Sequence, residues 1–127
     1  MKGEYGVYMW FSETSNDEYI HPSDLEAFRN MSPPGKVFRD CGSADDGYII
    51  LQYGDRQFLV KSKLFRSVTN PKFQVGERVK ITSKNETARV EDIVWHFRRG
   101  EPFYLLKQDG KVLKKRYYEN DLEKVEE

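Results

Sequence analysis

The chain has 127 residues, and its 21 basic and 21 acidic side chains give a formal net charge of zero. That length suits one ordinary domain or two very small ones. The balanced charge gives no argument for a nucleic-acid or membrane partner. Cys41 is the only cysteine, which excludes an intramolecular disulfide and the cysteine-rich zinc motifs.

No apolar run approaches the roughly 20 residues that a membrane-spanning helix needs. The first residues, Met-Lys-Gly-Glu-Tyr, lack the apolar region of a signal peptide. We therefore expect a cytoplasmic protein with no membrane partner. Eight Tyr, eight Phe and two Trp are the unusual feature of the composition, and their bulk can fill the core of a very small fold.

The N-terminal part is predicted to contain a strand and a short helix. Residues 5–11, Tyr-Gly-Val-Tyr-Met-Trp-Phe, form an apolar run typical of a strand. Ser23 and Glu26 match a capping box, which predicts a helix beginning near Asp24. The apolar face of this helix contains Leu25, Phe28 and Met31. The Ser-Pro-Pro-Gly sequence at 32–35 ends it, and two turns of helix are too short to be stable alone, so the helix has to pack on a sheet.

Further strands are predicted in the first half at residues 35–38, 47–53 and 56–60. Gly54 and Asp55 form the turn between the last two of these strands. Asp45 and Asp46 precede Gly47 and indicate a solvated turn rather than a paired-carboxylate site. Residues 61–68 then lead to Pro71.

The second half predicts a meander of strands. Its strands are expected at residues 73–81, 88–95, 103–107 and 111–118, and residues 120–125 are expected to form one helical turn and a closing strand. Apolar and charged side chains alternate in the first of these strands, after a turn at Gly76. Asp109-Gly110 is a strong hairpin signal, because a type I′ turn needs positive φ, which Gly tolerates and Asp partly tolerates.

This order of a Val-Gly-x-x-Val opening strand, a long loop, three meandering strands, one helical turn and a last strand resembles the SH3-like barrels, including the Tudor and KOW types. The resemblance covers roughly the last 55 residues. It implies a small, strongly bent β-barrel. It does not imply one activity, since such barrels serve many unrelated binding functions.

The first half has a similar order of elements. Lys36-Val-Phe matches Arg89-Val-Glu, Tyr48-Ile-Ile-Leu matches Phe103-Tyr-Leu-Leu, Gly54-Asp55 matches Asp109-Gly110, and Phe65 and Val68 match Leu122 and Val125. We therefore predict a mainly β fold of two SH3-like barrel units, residues 1–70 and 71–127, the first with an added strand and the short helix. Chance similarity between two short meanders is the alternative.

The sequence contains few groups suited to catalysis. It has no Gly-x-Gly-x-x-Gly, Walker A, Gly-x-Ser-x-Gly or His-Glu-x-x-His motif. His21 precedes Pro22 at the helix entry, where a capping or packing role is expected. Cys41 lacks cationic neighbours in the sequence and is interpreted as structural. We therefore predict a protein that is not an enzyme and that binds no metal or cofactor.

A basic and aromatic surface is the candidate site. The candidate binding residues are Trp95, His96, Phe97, Arg98, Arg99, Tyr104, Lys114, Lys115, Arg116 and Tyr118. Such a surface can track phosphates with its cations and stack bases on its rings. Lysines on an edge strand also discourage aggregation, which is the competing explanation for Lys114 and Lys115. For His96, a buried hydrogen-bonded ring and a binding role both stay open.

The same aromatic residues suggest another use. In Tudor-type barrels a cage of rings holds a cationic side chain, and the sequence offers Trp95, Phe97, Tyr104 and Tyr118 for such a cage. Core packing is the alternative for these rings.

Together these features predict a non-catalytic adaptor or binding module of bacterial type that recognises a protein or peptide through a barrel groove. RNA or DNA binding through the basic and aromatic face is the alternative function. A monomer or a weak homodimer is expected, because small barrels leave strand edges that can pair between chains.

Overall fold

The structure is a computed structural model that describes residues 4–125. The chain divides into two compact units, Met1–Asn70 and Pro71–Glu127. Within the described range it is mainly β, with two antiparallel sheets and one α-helix. None of the described helices is both long and apolar enough to cross a membrane.

The first unit contains five strands and the α-helix. Its strands are β1 (Tyr5–Tyr8), β2 (Val37–Ser43), β3 (Tyr48–Tyr53), β4 (Arg56–Lys61) and β5 (Phe65–Val68), and its helix is α1 (Leu25–Asn30). The sheet order is β4-β3-β2-β1-β5. The predicted turn at Gly54-Asp55 is confirmed, since Tyr53 pairs with Arg56 across it. A 3-10 turn, Ser62–Leu64, joins β4 to β5.

The first strand is shorter than predicted. It ends at Tyr8, because the backbone turns back on itself and the Trp10 N–H donates to the Tyr8 carbonyl at 2.9 Å. The turn buries the Trp10 ring completely and leaves Phe11 44% exposed. An apolar run of seven residues therefore supplies one short strand and one core anchor.

Phe28 of α1 lies at the centre of the aromatic core. Its ring centroid is 5.1 Å from that of Phe58, 5.6 Å from that of Tyr8, 5.7 Å from that of Phe38 and 5.9 Å from that of Trp10. Ring pairs at these distances in tilted or edge-to-face arrangements stabilise a core beyond simple burial. The helix is thus held by one fully buried side chain that contacts the sheet.

The predicted capping box at Ser23 is wrong. The Ser23 hydroxyl lies 2.7 Å from Nδ1 of His21, and the N-terminal cap of α1 is Asp24, whose side chain makes no capping hydrogen bond. Asp24 Oδ2 instead accepts the backbone N–H of Leu59 at 2.8 Å. A contact with β4, rather than a local cap, fixes the start of the helix.

The second unit contains the remaining six strands. They are β6 (Arg78–Ile81), β7 (Glu86–His96), β8 (Glu101–Gln108), β9 (Lys111–Val112), β10 (Tyr117–Tyr118) and β11 (Leu122–Lys124). The sheet order is β10-β8-β7-β6-β11, with β9 also paired to β8. The predicted hairpin at Asp109-Gly110 is confirmed, since both residues have positive φ, 51° and 79°, and Gln108 pairs with Lys111.

The prediction of one continuous strand over residues 111–118 is wrong. Val112 pairs with Lys107, and Tyr117 pairs with Tyr104. Residues 113–116 therefore lie opposite only two residues of β8, and the returning chain bulges out between β9 and β10. The bulge contains three exposed cations, Lys114, Lys115 and Arg116.

The two sheets share one topology. In each unit the third strand of a four-strand meander pairs with the second and fourth, and the last strand returns to pair with the first. A three-residue 3-10 turn joins the fourth strand to the last, Ser62–Leu64 in the first unit and Glu119–Asp121 in the second. The predicted match of Tyr48-Ile-Ile-Leu with Phe103-Tyr-Leu-Leu agrees with this order, since these segments lie in the third strand of each unit, β3 and β8.

Candidate functional site

The strand register of the second unit decides which predicted side chains share a face. Phe103 pairs with both Val94 and Tyr118, and Glu101 pairs with His96. Directly paired residues project to the same face, as do residues two apart along a strand. His96, Phe103 and Tyr118 therefore lie together, and their ring centroids are 6.2–6.3 Å apart.

Two arginines stack on these rings. The Arg99 guanidinium lies 3.8 Å from the Tyr118 ring centroid, and the Arg116 guanidinium lies 4.6 Å from that of Phe103. The five residues that form this Arg-aromatic cluster are His96, Arg99, Phe103, Arg116 and Tyr118. The chain segments on either side of β8 thus bring two predicted cations to one aromatic surface.

Local contacts hold Arg99 in place. Its backbone N–H donates to Nδ1 of His96 at 3.1 Å, and its Nε donates to Glu101 at 3.2 Å. The Arg99 side chain is nevertheless 49% exposed. Because the contact with Glu101 uses Nε, the two terminal nitrogens of this half-exposed guanidinium can still donate to a further anion.

The four-ring cage expected from the sequence does not form. Trp95 pairs with Pro102 and is on the opposite face of the strand from His96. Phe97 lies in the β7–β8 turn, 57% exposed. The Tyr118 ring is already covered by Arg99, so the cation over this ring is the protein's own.

Tyr104 is a core residue and not part of the binding surface. Its side chain is fully buried, its hydroxyl donates to Glu119 at 2.7 Å, and it accepts the backbone N–H groups of Lys72 and Phe73 at 3.1 and 3.3 Å. Burial, reinforced by the hydrogen bond to Glu119, raises the pKa of the Tyr104 hydroxyl well above its ordinary value of 10. Tyr104 was predicted as a binding residue, and core packing, the alternative for this ring, is what its burial shows.

The remaining predicted cations are exposed. Lys114 and Lys115 lie in the bulge at the edge of the sheet, and the Lys115 ammonium is 5.2 Å from the ring centroid of Tyr117. Arg98 lies beside Phe97 in the turn after β7. Bulged, lysine-bearing edges discourage strand pairing between molecules, so this segment is suited both to binding and to protecting the edge.

A second basic group was missed by sequence reasoning. Arg78 pairs with Arg89, and Arg89 pairs with Lys107, so three cations occupy directly paired positions on three adjacent strands. They line an open cleft of about 380 Å³ together with Thr87, Ala88, Gln108, Asp109 and Gly110. We call these three residues the cation row. Each cation alternates with core residues in the sequence, but only the register brings the three together.

The first unit also has a surface cleft, of about 440 Å³. It is lined by Phe11, Ser12, Glu13, Thr14, Arg29, Ser32, Pro33 and Pro34. Its one basic residue, Arg29, is already paired with Asp17 at 3.2 Å. The remaining charged residue of the lining is acidic, Glu13, so this cleft has no free basic side chain for an acidic ligand.

The histidine and cysteine outside the cluster have local partners. Nδ1 of His21 accepts the Ser23 N–H at 3.1 Å, and the Cys41 thiol donates to Oε1 of Gln52 at 3.2 Å. Among residues 4–125, no group of three or more His, Cys, Asp or Glu side chains is placed to hold a metal ion.

Comparison with curated proteins gives no match. The chain matches a family described as a family of unknown function, DUF6960, and the match covers residues 1–123. Because that match covers nearly the whole sequence, the chain belongs to the DUF6960 family.

Proposed function

We propose that each unit is an SH3-like barrel and that the protein is a non-catalytic binding module for an acidic segment of a protein partner. The barrel assignment is supported by the connection between the fourth and last strands. These strands are at opposite edges of a five-strand order, about 19 Å apart in a flat sheet. The chain runs from the end of the fourth strand to the start of the last in four Cα-to-Cα steps, which reach at most about 14 Å. Because so short a connection cannot span a flat sheet, it favours a sheet curled towards closure.

The observation that carries the binding proposal is the pair of ring-stacked arginines. A guanidinium held over a ring still has N–H donors at its edge, in the fork geometry that matches a carboxylate. Stacking also restricts the side chain before binding, which reduces the entropy lost when a partner is held. Arg99 and Arg116 over neighbouring rings thus suit two acidic side chains of one peptide.

We also propose that the protein binds its partner without a cofactor and that it is a monomer or a weak homodimer. Support for weak self-association comes from the short strands β9 and β10 at one edge, which offer few backbone groups for pairing between chains.

The test is titration of the full chain with a fluorescent peptide rich in Glu and Asp, followed by anisotropy. Arg116→Lys keeps the charge but loses the planar fork and the ring stack, so we expect about tenfold weaker binding, the equivalent of one charge-assisted hydrogen bond. Lys84→Arg, on the exposed β6–β7 loop, is the control and should bind normally. Equal binding by Arg116→Lys, or no binding by the unaltered protein, would overturn the proposal.

Nucleic-acid binding is the second candidate, and the exposed Phe97 ring favours it. Phe97 is 57% exposed and adjoins Arg98 and Arg99, so a base could stack on the ring while the cations meet phosphates. Retention on an immobilised oligonucleotide that falls steeply with salt, and that charge reversal at Lys114, Lys115 and Arg116 abolishes, would support this candidate. Retention of the acidic peptide with no retention of oligonucleotide would exclude it.

A further inference from the structure

The cation row, Arg78, Arg89 and Lys107, is an arrangement that sheet stability does not explain. Residues at directly paired antiparallel positions have Cα atoms about 4.5–5.5 Å apart, so the three positions span about 10 Å. Like charges at such positions repel one another and destabilise the sheet. Strands usually place opposite charges or uncharged groups there.

The described residues provide little neutralisation for this row. Their ion pairs join Arg29 to Asp17, Lys80 to Glu123 and Arg99 to Glu101, and none includes a member of the row. Among residues 4–125, the row makes one side-chain hydrogen bond, from Nη1 of Arg89 to the Gly76 carbonyl at 3.1 Å. All three side chains are exposed and line the same cleft of about 380 Å³. Repelling cations that share a cleft are best stabilised by an anion between them.

The surroundings of the row limit the size of that anion. Val112, 50% exposed, occupies the next paired position beyond Lys107, and Asp109 lies on the rim of the cleft. A long nucleic-acid backbone would carry its next phosphates over an apolar side chain or towards a carboxylate. A compact group with three or four negative charges would place all of them within reach of the three cations.

From this geometry we infer that the cation row binds a compact polyphosphate, either an inorganic chain or the phosphate tail of a nucleotide. Guanidinium groups bind phosphate oxygens bidentately, and the lysine adds a point charge. The cation row shares no residue with the Arg-aromatic cluster. Phosphate binding here is therefore separate from the proposed recognition of an acidic protein segment. Binding here involves no bond making or breaking.

The test is calorimetric titration of the full chain with tripolyphosphate and with ATP, at an ionic strength of about 0.1 M where distant surface charges are screened. We expect saturable binding of tripolyphosphate, at least tenfold weaker in Lys107→Gln and restored in Lys107→Arg. The control is Lys84→Gln, which removes the same charge from the exposed β6–β7 loop and should bind normally. Arg116→Lys should also bind normally, which separates this site from the acidic-peptide site.

The two ligands distinguish the sources of the phosphate. Equal affinity for tripolyphosphate and ATP would assign the whole interaction to the phosphate chain, and tighter ATP binding would assign it to a nucleotide. The inference is overturned if neither ligand binds saturably, if Lys84→Gln and Lys107→Gln lose affinity equally, or if a long oligonucleotide binds this row more tightly than either ligand. Thermal melting of Lys107→Gln without ligand checks that the variant folds. The substitution removes one of three repelling charges, so it should not lower the melting temperature.

Discussion

At the scale of single residues, the hydroxyl of Tyr104 connects three parts of the second unit. It donates to Glu119, the first residue of the 3-10 turn, and accepts from the backbone of Lys72 and Phe73 near the start of the unit. The Lys72 N–H also donates to Glu119, at 2.6 Å. The Phe73 N–H, in contrast, has the phenolic oxygen as its acceptor. Loss of that oxygen leaves a buried donor unsatisfied.

We therefore expect Tyr104→Phe to lower the free energy of unfolding by about 1–3 kcal/mol, the cost of a buried polar group without a partner. Urea denaturation followed by circular dichroism measures the change. Tyr48→Phe is the matched control, since Tyr48 is half-buried and its hydroxyl makes no hydrogen bond to the described part of the chain. Equal losses in the two variants would show that the hydroxyl network contributes nothing specific.

The candidate site could be predicted only in part, for a reason that β7 makes clear. The register shifts between Val90 and Asp92. Ala88 and Val90 face the core before this bulge, and Ile93 faces the core after it. Simple alternation from Val90 would have buried His96 and exposed Trp95. The sequence reveals which residues alternate, but one extra residue in a strand reverses their faces.

At the scale of elements, α1 is positioned by a contact that no local pattern reveals. Its six residues form too short a helix to be stable alone. Phe28 places it against the aromatic core, and Asp24 binds the Leu59 N–H of β4. The Ser-x-x-Glu pattern correctly indicated where a helix begins, but the hydrogen bond that fixes this end comes from 35 residues away in the sequence.

Asp24→Ala should consequently destabilise the protein by about 1.5–3 kcal/mol, the range for a hydrogen bond to a charged group. Ser23→Ala should change the stability by less than about 0.5 kcal/mol, because it alters only an exposed contact with His21. Thermal or urea unfolding of both variants provides the comparison. A larger loss for Ser23→Ala would mean that the predicted capping box, and not the contact with β4, supports the helix.

The elements that the sequence predicted best are those fixed by adjacent residues. Asp109-Gly110 determines its turn because both positions need positive φ. The segment after the turn depends on pairing with β8, and no local pattern indicates that two extra residues bulge out before Tyr117. That bulge is what brings Arg116 over Phe103.

At the scale of the whole molecule, the two units have the same strand order and each buries a tyrosine hydroxyl. Tyr8 of β1 donates to the Lys61 carbonyl at 2.6 Å, at the junction of β4 with its 3-10 turn. Tyr104 binds Glu119, in the corresponding turn of the second unit. In both units, then, a phenol secures the 3-10 turn through which the chain crosses from the fourth strand to the last.

These two phenols predict how stability depends on alkaline pH. Burial, reinforced by the neighbouring Tyr19, raises the pKa of Tyr8 above its ordinary value of 10, as burial and Glu119 do for Tyr104. Above pH 10 the unfolded chain loses these protons while the folded chain retains them, so the free energy of unfolding falls as pH rises. Below pH 10 both states are protonated and the contribution is constant.

Urea unfolding between about pH 9 and 11.5 measures this dependence, in a range that begins below the ordinary tyrosine pKa. Lysines titrate in the same range, so the informative quantity is the difference in slope between the unaltered protein and the Tyr8→Phe and Tyr104→Phe variants. Each variant should lose stability less steeply with pH, because it lacks one proton that only the folded state retains. Parallel slopes in all three proteins would mean that neither hydroxyl keeps its proton in the folded state, and would contradict the hydrogen-bonded, buried positions assigned to both.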